Sequence, residues 1–178
     1  MKKKGKHLLI LVFSGIATLF LYIVLHEFGH VIVMLSAGDR ITEFSILGAH
    51  VSGTGGNYTD TSDLWLHANG AFFPLLLSYI YLLFYRKGSG NTFYRIISLF
   101  IGYGPAASLL AWVVIPLIYL GGNAPAGDDV TLFLYNFSQG HSPVIVSIAA
   151  AVLIAIGILL IIKKGVFRNF VEEIKSVR

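Results

Sequence analysis

The chemistry this chain can do is concentrated in one run, HEFGH, made of His26, Glu27, Phe28, Gly29 and His30. On a helix, positions i and i+4 share a face one turn apart. The imidazoles of His26 and His30 can therefore converge on one metal ion. Glu27 follows the first of them, where a carboxylate can take a proton from a metal-bound water. Hydrolysis of an amide with zinc is the chemistry this pattern serves. At average composition the pattern arises by chance in roughly one chain of this length in a few hundred. Its setting is rarer still, because it sits inside the apolar run LLILVFSGIATLFLYIVLHEFGHVIVML. A charged carboxylate at mid-bilayer costs on the order of 2.5 kcal/mol or more, and such residues usually face a bundle interior and act there. The alternative is a polar cluster that glues helices together.

The rest of the composition agrees with a membrane setting. Of 178 residues, 56% are hydrophobic and only 12% charged, with a mean hydropathy of +0.76. That is too apolar for a soluble domain of this size, and the spans leave no room for a separate soluble domain. One membrane-embedded domain over residues 1–178 is expected. The net charge of +4 comes from a few flanking clusters and reads as topology information. No basic face on a folded module points to nucleic acid. There is no cysteine, so thiolate and disulfide chemistry are excluded and any metal must be held by histidines and carboxylates.

Four apolar segments must position the motif, at about residues 8–37, 64–85, 93–120 and 144–162. The first follows a basic start, MKKKGKH, as a signal peptide would, but residues 8–25 are long enough to span. Gly38 is a plausible C-terminal cap for this helix. Ser14, Thr18, Tyr22, His26 and His30 recur every four residues along it, forming a polar stripe. Ser14 and Thr18 are expected to bond to their own helix or to a neighbour. ITEFSI and AHVSG suggest a short hairpin or loop within residues 39–63, whose exposed edge could hold an extended peptide. Asn69 enters the second span from the loop side and needs a hydrogen-bond partner there. It could steady a scissile carbonyl or oxyanion, or cap the helix. Gly102, Gly104, Pro105 and Pro116 suggest a kinked third span. The tail KKGVFRNFVEEIKSVR is amphipathic enough to lie on a membrane surface. The fold class expected is an all-α polytopic membrane protein with about four spans and a short hairpin or loop after the first.

Lys and Arg gather at the N-terminus, after the second span and in the tail, which places both termini in the cytoplasm. The small size and simple topology suit a prokaryotic cytoplasmic membrane. His26 lies about 27 Å along the helix from Leu8, at 1.5 Å per residue. It therefore falls in the outer half of the bilayer, on the same side as the loop carrying Gly127, Asp128 and Asp129. A hydrolytic zinc site takes three protein ligands and keeps a place for water. Candidates for the third are Asp128, Asp129, His141, His67 and His50. A carboxylate lowers the charge buried with the metal. One aspartate can ligate while the other caps the helix DVTLFLYNF. Asp129 is placed ahead of Asp128 as the ligand.

These features resemble the site-2 protease family of intramembrane zinc metalloproteases. The resemblance rests on HEFGH in the first membrane helix, AGDRITEFSI just after it, an Asn-containing second segment and a late acidic residue. It implies zinc-assisted cleavage of peptide bonds in membrane-associated or transmembrane proteins. His26 and His30 would match the family's histidine ligands, Glu27 its general base, and a late Asp its third ligand. The family often shows an Asn-x-x-Pro run leading to Leu-Asp-Gly inside a membrane helix. Here Gly-Asp-Asp stands in a loop, and Asn69 and Pro74 lie in another segment, so the chain looks like a small, divergent member.

The function expected is thus a membrane-embedded zinc metalloprotease, with Glu27 the catalytic base, His26, His30 and Asp129 (or Asp128) the metal ligands, Asn69 a substrate contact, Zn2+ the cofactor, and the lipid bilayer and a membrane-associated protein or peptide as partners. The rival class is a metal-binding membrane protein without proteolysis: a transporter, a sensor or an inactive relative. A transporter would carry polar ligands on several spans along a path.

Overall fold

A computed structural model of the chain describes residues 3–88 and 91–176; Lys2 of the N-terminal basic cluster, Ser89 and Gly90 of the turn after the second span, and Val177 and Arg178 of the tail lie outside them. The elements are α1 (Lys3–Ser36), β1 (Arg40–Ser45), β2 (His50–Thr54), α2 (Asp60–Phe84), α3 (Thr92–Leu120), α4 (Asp129–Phe137), α5 (Pro143–Lys163) and α6 (Val166–Lys175). Four of these, α1, α2, α3 and α5, are long and apolar enough to cross a membrane. The fold is the one expected: an all-helical bundle with one short antiparallel hairpin after the first helix.

Local chemistry sets the boundaries. The end of α1 is closed at Gly38, whose φ of 89° is open to glycine at little cost. The Gly38 amide donates to Leu35 and the Asp39 amide to Met34, which satisfies two of the last carbonyls. Asp39 then ties down the hairpin. Its carboxylate accepts from the Gly56 amide at 2.6 Å and from the Tyr58 hydroxyl, while the Asn57 amide returns to Ala37. In the hairpin Ile41 pairs with Gly53 and Phe44 with Val51, with an irregularity between Ile41 and Glu43. The second helix starts earlier than its apolar pattern suggests. Thr59 caps it in a reciprocal pair with Ser62, so Asn69 is interior to α2 and does not cap it. The third helix runs unbroken from Thr92 to Leu120 with both prolines inside.

In hydrocarbon, apolar side chains gain little by meeting each other instead of lipid, so small residues and interhelical hydrogen bonds hold a bundle together. The pattern here follows that rule. Large side chains such as Phe13, Leu19, Phe20, Leu83 and Leu159 face outward. Inside, Ser78 donates to the Ile101 carbonyl and Ser147 to the Val113 carbonyl, each at 2.8 Å. Tyr79 donates to Leu153, and Tyr81 pairs with Ser98 at 2.5 Å. Such bonds contribute about 0.6 kcal/mol each on average. The central helix is α3, which packs on α1, α2, α4, α5 and α6.

The tail forms the amphipathic helix α6, which packs one face on the bundle. Val166, Asn169 and Glu173 of α6 are buried against the bundle. Glu173 accepts from His7 at 3.0 Å, Thr92 at 2.7 Å and Arg95 at 3.2 Å, and Asn169 donates to the Tyr85 hydroxyl at 2.7 Å. Burial raises the Glu173 pKa, but the three donors outweigh it and hold the carboxyl below its ordinary value. One helix thereby joins the ends of α1, α2 and α3. Of its polar residues Asn169 and Glu173 bond to the bundle, while Arg168 and Glu172 stay exposed and pair with each other at 3.2 Å. Ser14 and Thr18 differ from expectation, for neither hydroxyl has a hydrogen-bond partner among the described residues. Thr18 faces a cavity of about 210 Å³, shared with Tyr22, Pro74, Ser78 and Tyr81, instead of a neighbour.

Candidate metal centre

The centre is assembled where α1 crosses α2 and α4 reaches over both. The crossing is close because both helices carry glycine there. A Cβ at Gly29 would stand 2.3 Å from the Asn69 carbonyl oxygen, and one at Gly70 would stand 2.5 Å from His30 Nε2. Asn69 locks the crossing, its amide donating to the Gly29 carbonyl at 2.7 Å. The donor that sequence reasoning offered to substrate is therefore engaged in holding α2 to α1.

His30 is oriented by the same contact. Its Nδ1 donates to the Leu66 carbonyl at 2.7 Å, which leaves Nε2 as the free face of the ring. His26 Nε2 lies 3.2 Å from His30 Nε2. Asp129 Oδ2 completes a triangle, 3.0 Å from His26 Nε2 and 3.3 Å from His30 Nε2. Among the described residues these three form the one cluster of His and acidic side chains with metal-holding geometry. Comparisons with family models, with curated proteins and with solved structures return no match.

The donor set fits a metal. In tetrahedral zinc with bonds of 2.0–2.1 Å, neighbouring ligand atoms are about 3.3 Å apart, and the three edges here are 3.0, 3.2 and 3.3 Å. A single hydrogen on His26 Nε2 can serve Asp129 or His30 but not both well. A cation among the three satisfies His26 Nε2, His30 Nε2 and Asp129 Oδ2 at once, while His26 Nδ1 is buried with no hydrogen-bond partner among the described residues. Asp129 is ready to ligate. Burial works to raise its pKa, but the imidazoles of His26, His30 and His67 around it prevail and hold the carboxyl far below the usual carboxylate range.

The two aspartates divide the work. Asp128 is the N-cap of α4, its Oδ1 accepting from the amides of Val130 and Thr131 at 2.8 and 3.1 Å and its Oδ2 from the Thr131 hydroxyl at 3.0 Å. Asp129, one residue on, is aimed at the histidines. The other histidines stand apart from the triangle. His50 pairs with Glu43 on the exposed hairpin, and His141 lies against Phe137 in an exposed turn. His67 lies behind Asp129, 3.8 Å from its other oxygen. Glu27 is 3% exposed and follows His26 in the chain.

Two contributors were absent from the sequence expectations, the Gly29–Gly70 contact and the Leu66 carbonyl. The glycines had a readable signal. One lies inside HEFGH and the other follows Asn69 in an otherwise apolar run, which is the small-residue pattern of close helix crossings. A backbone carbonyl leaves no signal in sequence.

Proposed function

We propose that this chain is a membrane-embedded zinc metalloprotease similar in design to the site-2 proteases, with both termini on the cytoplasmic side and the metal in the outer half of the bilayer. The observation that carries this reading is the triangle of His26 Nε2, His30 Nε2 and Asp129 Oδ2 at 3.0–3.3 Å; Glu27, buried and next to His26 in sequence, supports it. Bound there, zinc would supply a Lewis acid that makes water acidic near neutral pH and polarises a carbonyl. Glu27 takes the proton of the attacking water and passes it to the leaving amine. His30 is kept in the ligating tautomer by Leu66, and Asp129 offsets the charge of the metal. Asn69 acts as a positioning residue through the Gly29 carbonyl. The substrate class is a peptide bond in or beside a membrane, reached by a site set among apolar helices.

Glu27→Gln tests this directly. Purified in detergent and in proteoliposomes, the variant should hold as much zinc as wild type yet cleave none of a panel of membrane-anchored reporter proteins that wild type cuts. Full cleavage by Glu27→Gln would refute the mechanism. Zinc binding by wild type with no cleavage of any reporter would favour the non-proteolytic alternative.

A further inference from the structure

The helix α4 is only nine residues long and stands between two loops, yet it carries the third corner of the metal triangle. Something must fix it against α2. Its partners share one face. Asp129 and Asn136 are seven residues apart, two turns of helix, and Asp63 and His67 are four apart on α2. Asn136 Nδ2 donates to Asp63 Oδ2 at 2.6 Å. Asp63 Oδ1 is 3.8 Å from His67 Nε2, and His67 Nδ1 is 3.8 Å from Asp129 Oδ1. The Asp129 carboxylate is thus divided, with Oδ2 toward His26 and His30 and Oδ1 toward His67.

We propose that His67, standing 3.8 Å from both Asp63 and Asp129, is a positioning residue that presents Asp129 to the metal through one oxygen, while the Asn136–Asp63 bond keeps α4 seated on α2. This rests on the metalloprotease reading of the centre and adds to it the residues that make the third ligand dependable. His67 is not itself a ligand, because its near nitrogen faces the outer oxygen of Asp129 and stands outside the three converging atoms. Groups behind a metal ligand orient it and tune its basicity, and their loss typically weakens metal binding about 10- to 100-fold.

The test uses the full chain in detergent, with zinc affinity measured by competition with a chromophoric chelator and the site geometry read from the visible absorption of bound cobalt(II). His67→Ala should keep the protein folded, lower zinc affinity about 10- to 100-fold and alter the cobalt spectrum. His67→Asn, which returns a donor near the Nδ1 position, should recover most of both. Asn136→Ala should shift affinity in the same direction as His67→Ala, by less. Asn169→Ala, at the far end of the bundle, should lower thermal stability and leave the cobalt spectrum unchanged. Wild-type affinity and spectrum in His67→Ala would overturn the proposal while leaving the metal centre standing. If His67→Ala fails to fold, Asn136→Ala decides: wild-type zinc affinity and cobalt spectrum in that variant would overturn the proposal, whereas weakened binding sustains it. A wild-type protein that takes neither zinc nor cobalt overturns it together with the metalloprotease reading.

Discussion

Gly70→Ala offers a sharp prediction because propensity and geometry point in opposite directions. Alanine is the better helix former by about 1 kcal/mol, so a glycine inside a span usually gains from the change. Here the added methyl would stand 2.5 Å from His30 Nε2, 2.7 Å from His30 Cε1 and 2.8 Å from His26 Cε1, against 3.4–4 Å for ordinary contact. The His30 ring must retreat by about 1 Å, whereas metal–ligand distances tolerate about 0.2 Å. Misplacing a ligand should cost more than losing a group behind one, so zinc affinity should fall by at least about 100-fold, or about 2.7 kcal/mol. Chelator competition measures the affinity and circular dichroism checks that helicity is kept. Gly104→Ala is the control, since its methyl would meet nothing closer than 3.9 Å, and it should bind zinc as wild type does. Wild-type zinc affinity in Gly70→Ala would show that His30 is not held against α2 as described.

Other outcomes follow from the same geometry. Asp128→Ala should cost about 1 kcal/mol as a lost cap, seen as a lower melting temperature with zinc still bound, whereas Asp129→Ala should fold and lose the metal. Asn69→Ala removes the bond to the Gly29 carbonyl and should cost about 1 kcal/mol of stability together with some zinc affinity. Glu173 has a folded pKa below its ordinary value of 4.5, so the stability it contributes is present above that value and lost as pH falls below it toward the folded pKa. Melting temperature should therefore drop on acidification below about pH 4.5 more steeply in wild type than in Glu173→Gln.

The spans were legible because membrane helices are long apolar runs, and the end of α1 because Gly38 is a strong stop signal. The start of α2 was hidden in a turn-rich stretch, where Thr59 and Ser62 look like loop residues until their reciprocal bonds are seen. That difference moved Asn69 from a helix end to a helix interior and changed what its amide can reach. The pair Asp128 and Asp129 could be narrowed to a cap and a ligand but hardly ordered, since adjacent carboxylates differ only in where the backbone aims them. With Asp128 extended at φ −84° and ψ 156°, it is the residue that can reach back to the helix amides. The docking of α6 and the linkage of Asp63 to Asn136 join residues 166 and 73 positions apart at their widest, and no local pattern announces such contacts.

The most direct measurement of the metal centre is zinc-edge X-ray absorption on the purified wild-type protein beside Asp129→Ala. Wild type should show nitrogen and oxygen scatterers at about 2.0–2.1 Å with the outer-shell signature of two imidazoles, and Asp129→Ala should lose bound zinc. A zinc ion without imidazole ligands, or a folded wild-type protein that binds none, would contradict the site.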